Sequence, residues 1–165
     1  MTKTDEREAS NNLLAVVRVR GRVDVRPEVR HTLALLRLHR SNHCVLVRNS
    51  DTIKGMLHVG KDRITWGEIN KETLIELLKK RACFVGGKLG LSSEDLNDTE
   101  FNNVDNLVGS LLDAKYNLKK LNNLKPVFRL HPPRKGYSGI KKPFTKGGAL
   151  GYRGNAINKL LLQMV

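Results

Sequence analysis

Apolar positions along the chain change their period several times, and each change marks a candidate element. Residues 13–19, LLAVVRV, open with a β-branched run in which Val17 and Val19 alternate with Arg18 and Arg20, the two-residue period of a strand. After the loop RGRVDV, Pro27 stands where a first helical residue belongs, and Val29, Leu33 and Leu36 recur at helical spacing to about His39. Ser41, Asn42 and His43 supply a turn, and residues 44–47 form a short continuous apolar run that suits a strand buried on both faces or at a sheet centre. Residues 50–66 are irregular, broken by Gly55 and Gly60, and read as a loop with room for one helical turn. Asn70 then caps a helix with the stripe Leu74, Leu77, Leu78 and Ala82. Lys79, Lys80 and Arg81 complement the dipole in its last turn, and Gly86 and Gly87 end it.

Strand, helix, strand, helix over residues 13–91 calls for a third strand. Residues 125–131 take that role, since KPVFRL has strand character and is bounded by Pro126 and the pair Pro132 and Pro133. Between them lies an insertion, 92–124. Its first part, 92–113, carries six acidic residues and no Lys or Arg, with Phe101, Val104, Val108 and Leu111 at helical spacing, so an amphipathic acidic helix is expected there. The expected fold is α/β, a small two-layer domain with a mixed or antiparallel sheet and two helices on one face. To it are added the inserted acidic helix, a polar N-terminal segment (1–12) and a basic C-terminal arm (132–165) that ends in the helical stripe Ile157, Leu160, Leu161.

Charge narrows the function. Thirty Lys and Arg against 16 Asp and Glu give +14, a self-repulsion that a polyanionic partner relieves. Nucleic acid fits best. A membrane fits least, because no apolar run approaches the roughly 20 residues of a spanning helix and the start MTKTDEREASNN is unlike a secretory signal. Cys44 and Cys83 sit in apolar stretches and read as buried thiols of a reducing compartment. The five histidines are scattered and no CxxC or HExxH occurs, so neither metal nor cofactor is expected. GGKLG and GGALGYRG lack the spacing of a nucleotide-binding loop, and no small-molecule substrate is expected.

The candidate chemistry is phosphate binding, as on a nucleic-acid backbone. Arg18, Arg20, Arg22 and Arg26 surround the first strand and loop, and Arg30, Arg37, Arg40 and Arg48 continue the bias, against only Asp24 and Glu28 over the same stretch. The guanidinium fork holds phosphate bidentately and stacks on bases, which an ammonium does not. Lys54, Arg129 and His131 extend the set. In the arm, Arg134, Lys135, Lys141, Lys142, Lys146 and Arg153 alternate with glycines and with Tyr137, Phe144 and Tyr152, giving a backbone that can follow phosphates and rings on which a base stacks. The arm's few apolar side chains predict mobility until RNA orders it.

Two resemblances bear on these residues. VRVRGRVDVR resembles in part the acylphosphatase loop, whose Arg binds a substrate phosphate, but the second loop Gly and the closing Phe/Tyr–Arg pair are missing. Much more of the chain, residues 13–164, resembles the universal large-subunit ribosomal protein L-thirty family in its long archaeal and eukaryotic form. The resemblance is carried by Arg18, Arg22, Pro27, His31, Leu35, Leu38, Asn42, His43, Val45, Val47, Asp51, Thr52, Gly55 and Met56, by the segment WGEI, and by the arm HPPRKGYSGIKKPFTKGGALGYRG. The short stretch before Leu13 favours the archaeal type. The resemblance implies a ferredoxin-like fold placed against large-subunit rRNA, contact with the small rRNA of that subunit, neighbouring ribosomal proteins as partners, and a non-catalytic role on the cytoplasmic ribosome. Charge and spacing alone reach only a phosphate-binding module, and they leave a free RNA-binding regulator and a small phosphate-ester or acyl-phosphate hydrolase as alternatives.

Overall fold

Strand β1 (Leu13–Arg18) is buried along its whole length, so both faces of the sheet it centres must be covered. The computed structural model describes residues 13–96, 101, 103–113, 116, 118, 121 and 123–165. After β1 come α1 (Pro27–Leu35), β2 (His43–Arg48), α2 (Asp51–Gly60), β3 (Ile64–Glu68), α3 (Lys71–Arg81), α4 (Val104–Leu112), β4 (Val127–Arg129), β5 (Gly151–Tyr152) and α5 (Ala156–Met164). The strand order is β4-β2-β1-β3-β5. β1 runs antiparallel to β2 and β3, β4 antiparallel to β2, and β5 parallel to β3. This is an α/β domain of the ferredoxin-like kind.

Alternation along β1 divides the core. Leu14 and Val16 join Leu33 of α1, Leu57 of α2, Val45 and Ile64 on one face. Ala15, Val17 and Cys44 join Leu74, Leu77 and Leu78 of α3, Leu107 and Val108 of α4, and Ile157, Leu161 and Met164 of α5 on the other. The sequence places α1 and α3 on one face. The structure puts them on opposite faces, and α1's neighbour is α2. Burial raises the Cys44 thiol to about 12, and both cysteines are buried and unbridged.

Three further expectations are corrected. Residues 50–66 are not a loop: Ser50 caps α2, its Oγ accepting from Ile53 N at 3.3 Å, and Ile53, Met56, Leu57 and Gly60 face the sheet at i, i+3, i+4, i+7. The third strand is therefore β3, and β4 is an added edge strand. The insertion's helix is short and mostly apolar, burying Val104, Leu107, Val108 and Leu111, with Asp105 in its first turn and Asp113 at its C-cap. Asp95 lies in a separate turn where Lys88 Nζ, 2.6 Å away, holds its carboxyl down to about 2; Asp98 and Glu100, like residues 1–12, lie outside the described residues.

The arm is the third correction. Its path folds onto the domain: Ala149 and Leu150 are buried with Val19, β5 extends the sheet, and Arg153 N donates to Trp66 O at 2.9 Å. Glycine makes this approach feasible. A Cβ on Gly67 would stand 2.0 Å from Gly154 O, and one on Gly148 would stand 2.0 Å from Lys142 O.

Buried Asn158 of α5 locks the arm's end to the sheet. Its Nδ2 donates to Glu68 O and Asn155 O, both at 2.9 Å, and its Oδ1 accepts from Asn70 N at 2.8 Å. Asn158→Ala strands two backbone groups between β3 and α3, and since each unsatisfied buried group costs ~1–3 kcal/mol, a loss of about 2–6 kcal/mol is expected in chemical denaturation. An unchanged midpoint would show that water replaces the amide.

Candidate nucleic-acid interface

The strand registers bring the chain's cations to one end of the sheet. Arg18 pairs with Ile64, Val17 with Cys44, His43 with Arg129, and Thr65 with Gly151. The end of β1, the starts of β2, β3 and β5, and the end of β4 therefore lie together. The loops there, 19–26, 36–42 and 61–63, carry Arg20, Arg22, Arg26, Arg37, Arg40, Lys61 and Arg63, against Asp24 and Asp62.

Three guanidinium groups shape this end. Arg18 is only 5% exposed and donates to Leu38 O at 2.6 Å, Gly21 O at 2.8 Å and Arg20 O at 2.9 Å. It is a staple between loop and turn, which corrects its reading as a surface residue offered to phosphate. Arg22 Nε reaches His39 O at 2.9 Å, and Arg63, which sequence reasoning missed, donates to Val23 O at 3.0 Å and to Asp24 O. These bonds consume carbonyl oxygens and leave the positive charge. Asp24, Arg37 and Asn42 have φ of 50°, 60° and 61°, so the path turns sharply at each without glycine.

Asp24 and Asp62 are the acids of these loops, and among the described residues neither is in an ion pair. Among the described residues the ion pairs join Lys54 to Asp51, Lys80 to Glu76 and Lys88 to Asp95, all elsewhere. Burial lowers the Arg18 pKa, and Arg22 and Arg63 lower it further. The His43 pKa is lowered by burial first and then by Arg129, His39, Arg40 and Arg18, and its Nδ1 is buried without a hydrogen-bond partner among the described residues. A groove of about 380 Å³ between loop and α1 is lined by Arg22, Arg30 and His39. The arrangement can neutralise several phosphates at once.

The family model "Ribosomal protein L30p/L7e" matches residues 14–62, the stretch from β1 through α2 that builds this end. A protein of Nanoarchaeum equitans called "Large ribosomal subunit protein uL30" is 48% identical over 155 residues, covering 93% of this chain and 99% of its own. The chain belongs to the L30p/L7e family. A Methanococcus vannielii protein of the same name is 50% identical over 153 residues (92% and 98%), and one of Hyperthermus butylicus is 45% identical over 174 (99% and 96%). The family is one of structural ribosomal proteins and not of enzymes, which sets the hydrolase alternative aside.

Within this L30p/L7e chain the Asn-His turn is a junction. Asn42 N donates to Arg18 O at 2.7 Å, and its Oδ1 accepts from the Tyr137 hydroxyl at 2.7 Å, tying the arm to the basic end. Tyr137 is thus half-buried, and burial raises its pKa. Arg129, His131, Arg134 and Lys135 are exposed on the chain leaving β4, and Lys141, Lys142 and Lys146 on the arm's outer surface. Arg153 is partly buried: Nε donates to Thr65 Oγ1 and Nη2 to Ala149 O, both at 3.0 Å, and its guanidinium lies 4.7 Å from the Phe144 ring centroid. Tyr152 and Lys54 lie apart from the basic end. The Tyr152 hydroxyl donates to the Glu68 carboxylate, and the two residues line one pocket with Trp66, on the side where β3 ends. Sequence reasoning missed Lys61, Arg63, Lys159 and Gln163. Only the helix and strand unrecognised over residues 51–68 would have placed the first two beside the loop.

Proposed function

We propose that this protein is a structural component of the large ribosomal subunit and that the basic end of its sheet holds rRNA by neutralising phosphates. The supporting observation is the gathering of exposed arginines on loops stapled by Arg18 and Arg63, with no carboxylate paired to them among the described residues. The relatives' shared name supports the subunit, and with it a cytoplasmic location on the ribosome. Large-subunit rRNA is the main partner, the small rRNA of that subunit a second, and adjacent ribosomal proteins the remainder. Arg20, Arg22, Arg26, Arg30, Arg37, Arg40 and Arg129 do the holding, with His131, Arg134, Lys135, Lys141, Lys142 and Lys146 continuing along the arm. Arg18, Tyr137 and Arg153 set the loop and arm in place.

Arg26, Arg37 and Arg40 are exposed, and none of their side chains takes part in the hydrogen bonds that hold the loop. Replacing all three by Gln is expected to weaken binding to large-subunit rRNA on the order of a hundredfold or more, since a charge-assisted contact contributes ~1.5–3 kcal/mol. Thermal unfolding of the free protein should not change. Equal affinity of the variant and the parent for the rRNA, measured by filter binding, would overturn the placement of the interface. Absence of the protein from purified large subunits would favour a free RNA-binding regulator.

A further inference from the structure

Beside the basic end, the arm and α5 flank a half-open cavity of about 550 Å³, within the roughly 300–1,000 Å³ of pockets that take small organic ligands. Ala156, Lys159, Leu160 and Gln163 supply one wall from a single stripe of α5, at i, i+3, i+4 and i+7. Tyr137, Ser138, Phe144, Ala149 and Arg153 supply the rest together with glycine backbone, and among the described residues no carboxylate lines the cavity. The three kinds of group have complementary uses. Phe144, Tyr137 and the guanidinium plane are surfaces on which an aromatic base stacks. Gln163 carries an amide that both donates and accepts, as a base edge requires. Lys159 is an exposed cation at the mouth, and Arg153 is held by two hydrogen bonds with Nη1 left without a partner among the described residues.

We infer that this cavity takes one unpaired nucleotide of an RNA strand, its base stacked against Phe144 and Arg153 and its phosphate held by Lys159. The inference rests on the RNA reading above and extends it from backbone phosphates to a single extruded base. Arg153 is preorganised for the task, because Thr65 and Ala149 fix the guanidinium before any ligand arrives. Gly148 lets the loop 139–148 close against itself, which keeps Phe144 at the cavity wall.

The full chain should be tested with two RNA hairpins of identical stem at one salt concentration, one fully paired and one with a single bulged adenosine. The bulged hairpin is expected to bind about tenfold more tightly, as stacking of one base allows. Ala156→Phe fills the cavity from the exposed first turn of α5 and should erase that preference without changing affinity for the paired hairpin. Lys159→Gln should reduce the preference. Equal binding of the two hairpins by the unaltered protein would overturn the inference and leave the RNA reading standing, as would a preference that survives in both variants. Failure to bind either hairpin would count against the RNA reading itself. AMP binding as tightly as the bulged hairpin would assign the cavity to a free nucleotide and overturn its placement on RNA.

Discussion

Removal of residues 156–165 is expected to unfold the domain, although those residues lie at the end of a segment whose composition suggests a solvated tail. α5 buries Ile157, Leu160, Leu161 and Met164 against α3 and the sheet. At roughly 1.5–3 kcal/mol for each buried side chain, their loss amounts to about 6–12 kcal/mol, comparable to the about 5–15 kcal/mol that holds a typical domain together. Polar links go with them: Asn158 to β3 and α3, Met164 O to His131 N at 3.1 Å, and Val165 O to Arg81 Nη2 at 2.8 Å. Circular dichroism of the truncated chain should show no cooperative melt. A transition within a few degrees of the parent would make α5 an appendage and contradict the packing described.

Affinity for rRNA is expected to fall on the order of a thousandfold or more between 50 and 200 mM salt, the result of six to ten phosphate contacts at a log–log slope of about −0.7 to −0.9 each. The charge distribution decides this expectation more than the net +14 does. Lys54, Lys80 and Lys88 each face a carboxylate, whereas among the described residues no arginine of the basic end is in an ion pair, and Arg18 and Arg22 donate to carbonyl oxygens. Carbonyls hold a guanidinium in position without cancelling its charge, so the full counterion term remains available to RNA. The slope is read from filter-binding isotherms at several salt concentrations. A slope near zero would remove the electrostatic account, and each exposed arginine of the interface replaced by Gln should flatten the slope by about 0.7 to 0.9.

Much of this architecture could be read from residue pattern. β1, β2, α1, α3, β4 and α5 all stand near the expected positions, because each pairs a clear apolar period with a stop or start signal such as Pro27, Asn70 or Pro126. α2 and β3 were illegible for one reason: their glycines look like breaks. Gly55 costs α2 about 1 kcal/mol relative to alanine, which the Ser50 cap and the stripe Ile53, Met56, Leu57, Gly60 offset. Gly67 is in β3 because another backbone, that of Gly154, presses on it. Such contacts involve residues far apart in sequence and leave no local periodicity. The same distance effect hid the division of labour among the arginines, since a buried staple such as Arg18 and an exposed residue such as Arg40 differ only in their surroundings.

The pairing of β5 with β3 also sets an order of events during synthesis. Until residues 151–152 have been made, β3 is an open sheet edge, and until residue 164 has been made the face lined by Ala15, Val17 and Leu77 lacks its last helix. A nascent chain therefore carries, at the same time, an unpaired edge able to add a foreign strand and a highly basic loop able to capture any RNA nearby. Maturation closes the first hazard with only two residues of strand, too short to offer a new edge in its place.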